Sequence, residues 1–68
     1  MACYIINRNA QSNGQHEVHT EHCDHLPDLD NQVPLGSHDS CRPAVEKAKS
    51  IYPNADGCAY CCPDCNTG

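Results

Sequence analysis

The chain has no Phe and no Trp, and its large aliphatic residues are few: Ile5, Ile6, Ile51, Val18, Val33, Val45, Leu26, Leu29 and Leu35. So lean a set excludes a fold that rests on a broad apolar core. A chain of this length buries only about 60% of its unfolded surface and is marginal unless something else holds it. No apolar run approaches the ~20 residues needed to span a bilayer as a helix. The N-terminal stretch "MACYIINRNAQ" turns polar after six residues, too soon for the apolar region of a signal peptide. That pattern sets the expectation of a reducing, cytoplasmic setting. Basic residues are scarce as well. Arg8, Arg42, Lys47 and Lys49 stand against nine acidic residues, for a net charge of −5. Binding to phosphate backbones depends on Lys and Arg neutralising phosphates, so a general nucleic-acid surface is not expected.

What the chain has in quantity is cysteine, seven in 68 residues, together with five histidines. An odd number of cysteines without an export signal argues against a disulfide framework and for metal binding or thiol chemistry. A structural zinc contributes ~10–16 kcal/mol in peptide-sized sites, which suits a core this thin.

The pattern of residues predicts a small α+β domain covering 1–68, stabilised by metal. "CYIIN" reads as a strand from its β-branched and aromatic content. Asn13-Gly14 is a strong hairpin signal because both residues tolerate positive φ. "HEVHT" then alternates, with His16, Val18 and Thr20 on one face and Glu17 and His19 on the other. An antiparallel hairpin of residues 2–9 and 15–20 follows. "VPLG" at 33–36 suits a short edge strand, since Pro34 cannot donate to a ladder. One helix is expected after Ser40 as N-cap, with Pro43 in its first turn and Pro53 ending the run. Cys41, Ala44, Val45, Ala48, Ile51 and Tyr52 form one helical stripe, which gives Cys41 an ordinary role as a small buried hydrophobe. "NADG" at 54–57 reads as a turn.

The histidine-rich stretch "HEVHTEHCDH" is not a protease motif. Such motifs need two His one helical turn apart, and here "HEVH" is one residue short and lies on a strand. His22 and His25 fall in the polar loop beyond and are expected to face solvent. "CAYCCPDC" holds two Cys-x2-Cys pairs, Cys58/Cys61 and Cys62/Cys65. Two thiolates three residues apart can reach one ion with Zn–S near ~2.3 Å. The step from Cys61 to Cys62 leaves too little chain to wrap an ion with both pairs, so the second pair of ligands must come from elsewhere. His19-x3-Cys23, at the exit of the hairpin, is the available set. The expected ligands of one zinc per chain are therefore His19, Cys23, Cys58 and Cys61, with Cys65 and Cys62 as alternatives. Cys3, in the first strand, is expected to be a packed strand residue.

With these motifs in view, "VH-x3-C", "LGS…SC-x2-AV…Y" and "GC-x2-C" together resemble a small zinc-binding module at the ends of some bacterial nucleases. More distantly they are similar to the metal-binding domain of Ada-type DNA repair proteins, although a His stands here where those domains have Cys. The chain also resembles a group of short bacterial proteins. The nuclease-associated resemblance, which covers about residues 15–61, implies the same four ligands.

Two function classes follow. A closed site with four protein ligands stabilises a fold and leaves no position for substrate, which points to a non-catalytic module that presents a surface to a macromolecule, with a protein as the expected partner. Thiol chemistry is the alternative: redox exchange, metal transfer or attack by a zinc thiolate. A DNA-binding or repair-like module is the weaker branch of that alternative.

Overall fold

In the computed structural model, which describes residues 1–67, four strands and one helix form a two-layer α+β unit. The strands are β1 (Ala2–Asn7), β2 (His16–Thr20), β3 (Gln32–His38) and β4 (Ala55–Gly57), and the helix is α1 (Cys41–Lys49). They make one mixed sheet in the order β3-β1-β2-β4. Strand β1 is antiparallel to both β2 and β3, whereas β4 runs parallel to β2. Among the described residues no helix is long and apolar enough to cross a membrane.

The expected hairpin is present, but its turn is built differently. Among the described residues none but glycine takes a positive φ, so Asn13 does not use the left-handed region while Gly14, at φ +87°, does. The Gly14 N–H donates to the Gln11 carbonyl at 2.9 Å and the Gln11 N–H to the Gln15 carbonyl at 2.8 Å. This is a three-residue loop closed by a left-handed glycine, not a two-residue turn. The Asn13 side chain accepts from the Gln15 N–H at 2.9 Å and so steadies the turn from within.

The edge strand predicted at 33–36 is longer, Gln32–His38, and pairs along all of β1. Tyr4 pairs with Gly36 and Ile5 with Pro34, leaving Leu35 as the extra residue of a bulge. Gly36, at φ +85°, supplies the backbone conformation that this irregularity needs. Leu35 is turned fully into the core. Pro34 is tolerated because β3 lies at the edge of the sheet.

Helix α1 begins directly after Ser40, whose extended backbone suits an N-cap although its side chain makes no cap bond. Ala44, Val45 and Ala48 are its buried residues. They pack with Tyr4, Ile6, Val18, Leu35, Ala55 and Cys62 into the apolar cluster. Small alanines at the contact let the helix lie close to the sheet. The predicted stripe holds as far as Ala48. Ile51 lies beyond the end of the helix and is exposed, while Tyr52 is partly buried and stacks on His16 at 3.9 Å between ring centroids.

Strand β4 corrects the expectation of a simple turn at 54–57. Its three residues pair His16 with Ala55, Glu17 with Asp56 and Val18 with Gly57. Gly57 is there because nothing larger fits: a Cβ would sit 2.8 Å from the Cys62 carbonyl oxygen and 2.8 Å from the Cys65 Cβ.

Candidate metal centre

Two alternations on neighbouring strands build the site. Val18 enters the helix-side cluster, so its neighbour His19 leaves the sheet on the other face. Ile5 pairs with His19 across the ladder and is likewise buried outside that cluster. Beyond Thr20 the chain turns, the Cys23 N–H donating to the Thr20 carbonyl at 3.2 Å. This brings Cys23 back toward His19. From the other side, β4 hands over Cys58, whose N–H extends the parallel ladder by donating to the Val18 carbonyl at 2.9 Å. One turn later the Cys62 N–H donates to the Cys58 carbonyl at 2.9 Å, which folds Cys61 over the same spot.

The four donor atoms of His19, Cys23, Cys58 and Cys61 all lie within 4.8 Å of one another. The Cys23 and Cys58 sulfurs are 3.9 Å apart, and the Cys61 sulfur is 3.9 Å from His19 Nδ1. A tetrahedral ion with Zn–S bonds of ~2.3 Å would set S···S edges of about 3.8 Å, so these separations suit a single cation. His19, Cys23 and Cys58 are buried, and Cys61 is partly exposed.

Backbone N–H groups point at the sulfurs. His25 N–H donates to Cys23 Sγ, Tyr60 N–H to Cys58 Sγ and Thr20 N–H to Cys61 Sγ, each at 3.4 Å. The first two have the same construction, a cysteine receiving a bond from the residue two places on. The side chains of these two donor residues, His25 and Tyr60, stack on each other with ring centroids 3.9 Å apart. Such donors stabilise thiolates, most of all at the buried Cys23 and Cys58.

The electrostatics lead to the same reading. Burial pushes the Cys23 thiol up to about 12; the His25 N–H opposes this, and the neighbouring Cys61 and Cys58 sulfurs add to it. Burial also raises Cys61 and Cys62. Burial chiefly, with help from His25, lowers His19, so its imidazole is neutral near pH 7 and carries a free lone pair. Bare thiolates are disfavoured here, whereas thiolates around a cation are not, and a metal would enter by displacing protons. His19 Nε2 is fully buried without a hydrogen-bond partner, as expected of an imidazole set in place for a task other than core packing. The four residues fit a metal ion.

The remaining cysteines divide. Cys65, considered as an alternative ligand, is joined instead to Cys41 by a disulfide, 24 residues apart in sequence. Cys41 is therefore a covalent anchor between α1 and the C-terminal segment, not simply a small hydrophobe. The helical stripe could not reveal this, because its partner lies on a different element. Cys62, the other alternative, is a buried free thiol packed in the apolar cluster, 3.8 Å from Cys61 Sγ. Cys3 is a free, partly buried strand residue near the Ser37 hydroxyl, at 3.3 Å. Of the other histidines, His22 and His25 are exposed, His16 Nδ1 donates to the Asn7 carbonyl and His38 Nε2 to the Leu35 carbonyl, so none joins the cluster. Asp56 was not singled out by sequence. It is buried on β4 and accepts from the Thr67 N–H and hydroxyl, at 3.0 and 2.9 Å, tying down the C-terminal segment.

No family model matches this chain, and no match was found among curated proteins or solved structures. Of the expected likeness to nuclease-associated and Ada-type modules, what the structure supports is the His/Cys cluster alone.

Proposed function

We propose that residues 1–68 form one zinc-stabilised, non-catalytic domain that presents its surface to a protein partner. The observation that carries this reading is the convergence of His19, Cys23, Cys58 and Cys61, from segments far apart in sequence, on a volume the size of one ion. Zinc is the natural occupant of a three-thiolate, one-imidazole set. Four protein donors leave no open position for water or substrate, so the ion contributes to folding and not to a reaction. The acidic net charge favours a protein partner over nucleic acid, as the exposed Arg42, Lys47 and Lys49 of α1 are too few to track a phosphate backbone.

Native and denaturing mass spectrometry of one preparation, purified without chelator, tests the zinc reading. One zinc per chain is the expected result. Loss of metal together with a mass lowered by further cysteine pairing would overturn it. The same masses report Cys41 and Cys65, which a reducing cytoplasm would hold as thiols.

Thiol chemistry is the second reading. It is favoured by Cys62, a free thiol 3.8 Å from Cys61 Sγ and three residues from the disulfide-bonded Cys65. Rapid alkylation of one cysteine in the folded, metal-loaded protein would support it. Uniformly slow alkylation would count against it.

A further inference from the structure

We infer that His19 takes its metal ion through Nδ1 and that Glu17 is the positioning residue that holds the opposite nitrogen, Nε2, as the protonated one. The inference rests on the metal reading above and goes beyond it by assigning the ligand atom and the group that orients it.

His19 Nδ1 is the nitrogen that faces the sulfurs, 3.9 Å from Cys61 Sγ. A neutral imidazole has one N–H and one lone pair. Once Nδ1 gives its lone pair to a cation, the proton must be on Nε2. That atom is buried and has no hydrogen-bond partner, and a buried donor left unpaired is costly. Among the described residues one carboxylate lies within 4 Å of it: Glu17 Oε1, at 3.7 Å. A movement of well under 1 Å brings this to hydrogen-bond length.

The strand makes the pairing a matter of geometry. Glu17 and His19 are two apart on β2 and therefore share the face away from the helix. Asp56, which pairs with Glu17 across to β4, is an acid beside it. Its oxygens are already engaged by Thr67 and Asn66. Glu17 is thus free to accept from the imidazole. Carboxylate partners of this kind fix the ring and its tautomer, and their loss commonly weakens metal binding 10–100-fold.

The test combines zinc competition titrations on wild type, Glu17→Ala and Glu17→Gln with long-range ¹H–¹⁵N correlation of the zinc-loaded, histidine-labelled wild type. Three results are expected together. The spectrum shows zinc on His19 Nδ1 and a slowly exchanging proton on Nε2. Glu17→Ala binds zinc at least ~10-fold more weakly. Glu17→Gln, whose amide oxygen still accepts a hydrogen bond, recovers part of that loss. A wild type that binds zinc through Nε2, or a Glu17→Ala variant with unchanged affinity, overturns the assignment and leaves the metal site standing. A wild type that binds no zinc ends both readings.

Discussion

The two faces of the sheet are held by different means. On the face covered by α1, side chains from five elements close into an apolar cluster centred on Ile6, Val18 and Leu35. Stabilisation there scales with the area removed from water and needs nothing from outside the chain. On the opposite face the buried groups are Ile5, His19, Cys23 and Cys58, with Asp56 beside them. Little aliphatic area is gained there, and the three thiols can be held as thiolates beside the imidazole only with a cation among them. The two regions meet on the segment from Cys58 to Cys65. Cys58 and Cys61 belong to the cluster that could hold a metal ion, while Cys62 packs in the apolar cluster and Cys65 is bonded to α1. One face is self-sufficient in kind but too small. The other completes it conditionally.

Removing the ion should produce the largest change. With ~10–16 kcal/mol at stake against a net stability of about 5–15, chelation is expected to unfold the domain. Amide dispersion by NMR before and after chelator checks this. A dispersed spectrum in the chelated protein would show that the apolar face suffices alone.

Leu35→Ala comes next, at about 2–5 kcal/mol, because Leu35 is fully buried and its loss opens a cavity under the helix. Denaturant unfolding with zinc in excess measures it. The zinc stoichiometry should stay at one per chain, and loss of the ion would mean that the two faces cannot be separated.

Replacing both Cys41 and Cys65 by Ser should cost about 3.5 kcal/mol, the value for closing a loop of this length. Metal content should be unchanged. If the ion is lost, Cys65 belongs to its ligand set in solution.

Gly57→Ala probes the point where the regions meet, forcing a methyl group against Cys62 and Cys65. A thermal melt of the zinc-loaded variant should show a loss of about 1–3 kcal/mol, typical of overpacking. A neutral result would mean that the C-terminal segment yields at no cost.

Much of the framework was legible in the residues. The hairpin announced itself through alternation and Gly14, the edge strand through Pro34, and the helix through Ser40, Pro43 and the spacing of Ala44, Val45 and Ala48. These are local signals, written in neighbouring side chains. Strand β4 was not legible, because Ala-Asp-Gly is a poor strand sequence and its pairing comes from being laid beside β2 after a long crossover. Neither was the Cys41–Cys65 bond, whose partners carry no local mark of each other. Glu17 read only as a strand residue on the His19 face; the burial of His19 Nε2 singles it out.

By itself, the sequence determined that the chain needs more than apolar burial, and that His19, Cys23, Cys58 and Cys61 have the types and spacings to supply it. Tertiary structure decided which cysteines meet. Local spacing sets how two ligands on one segment are related. The approach of β4 to β2 brings the two pairs to one point, and a pairing of strands so far apart in the chain is set by the packing of the whole.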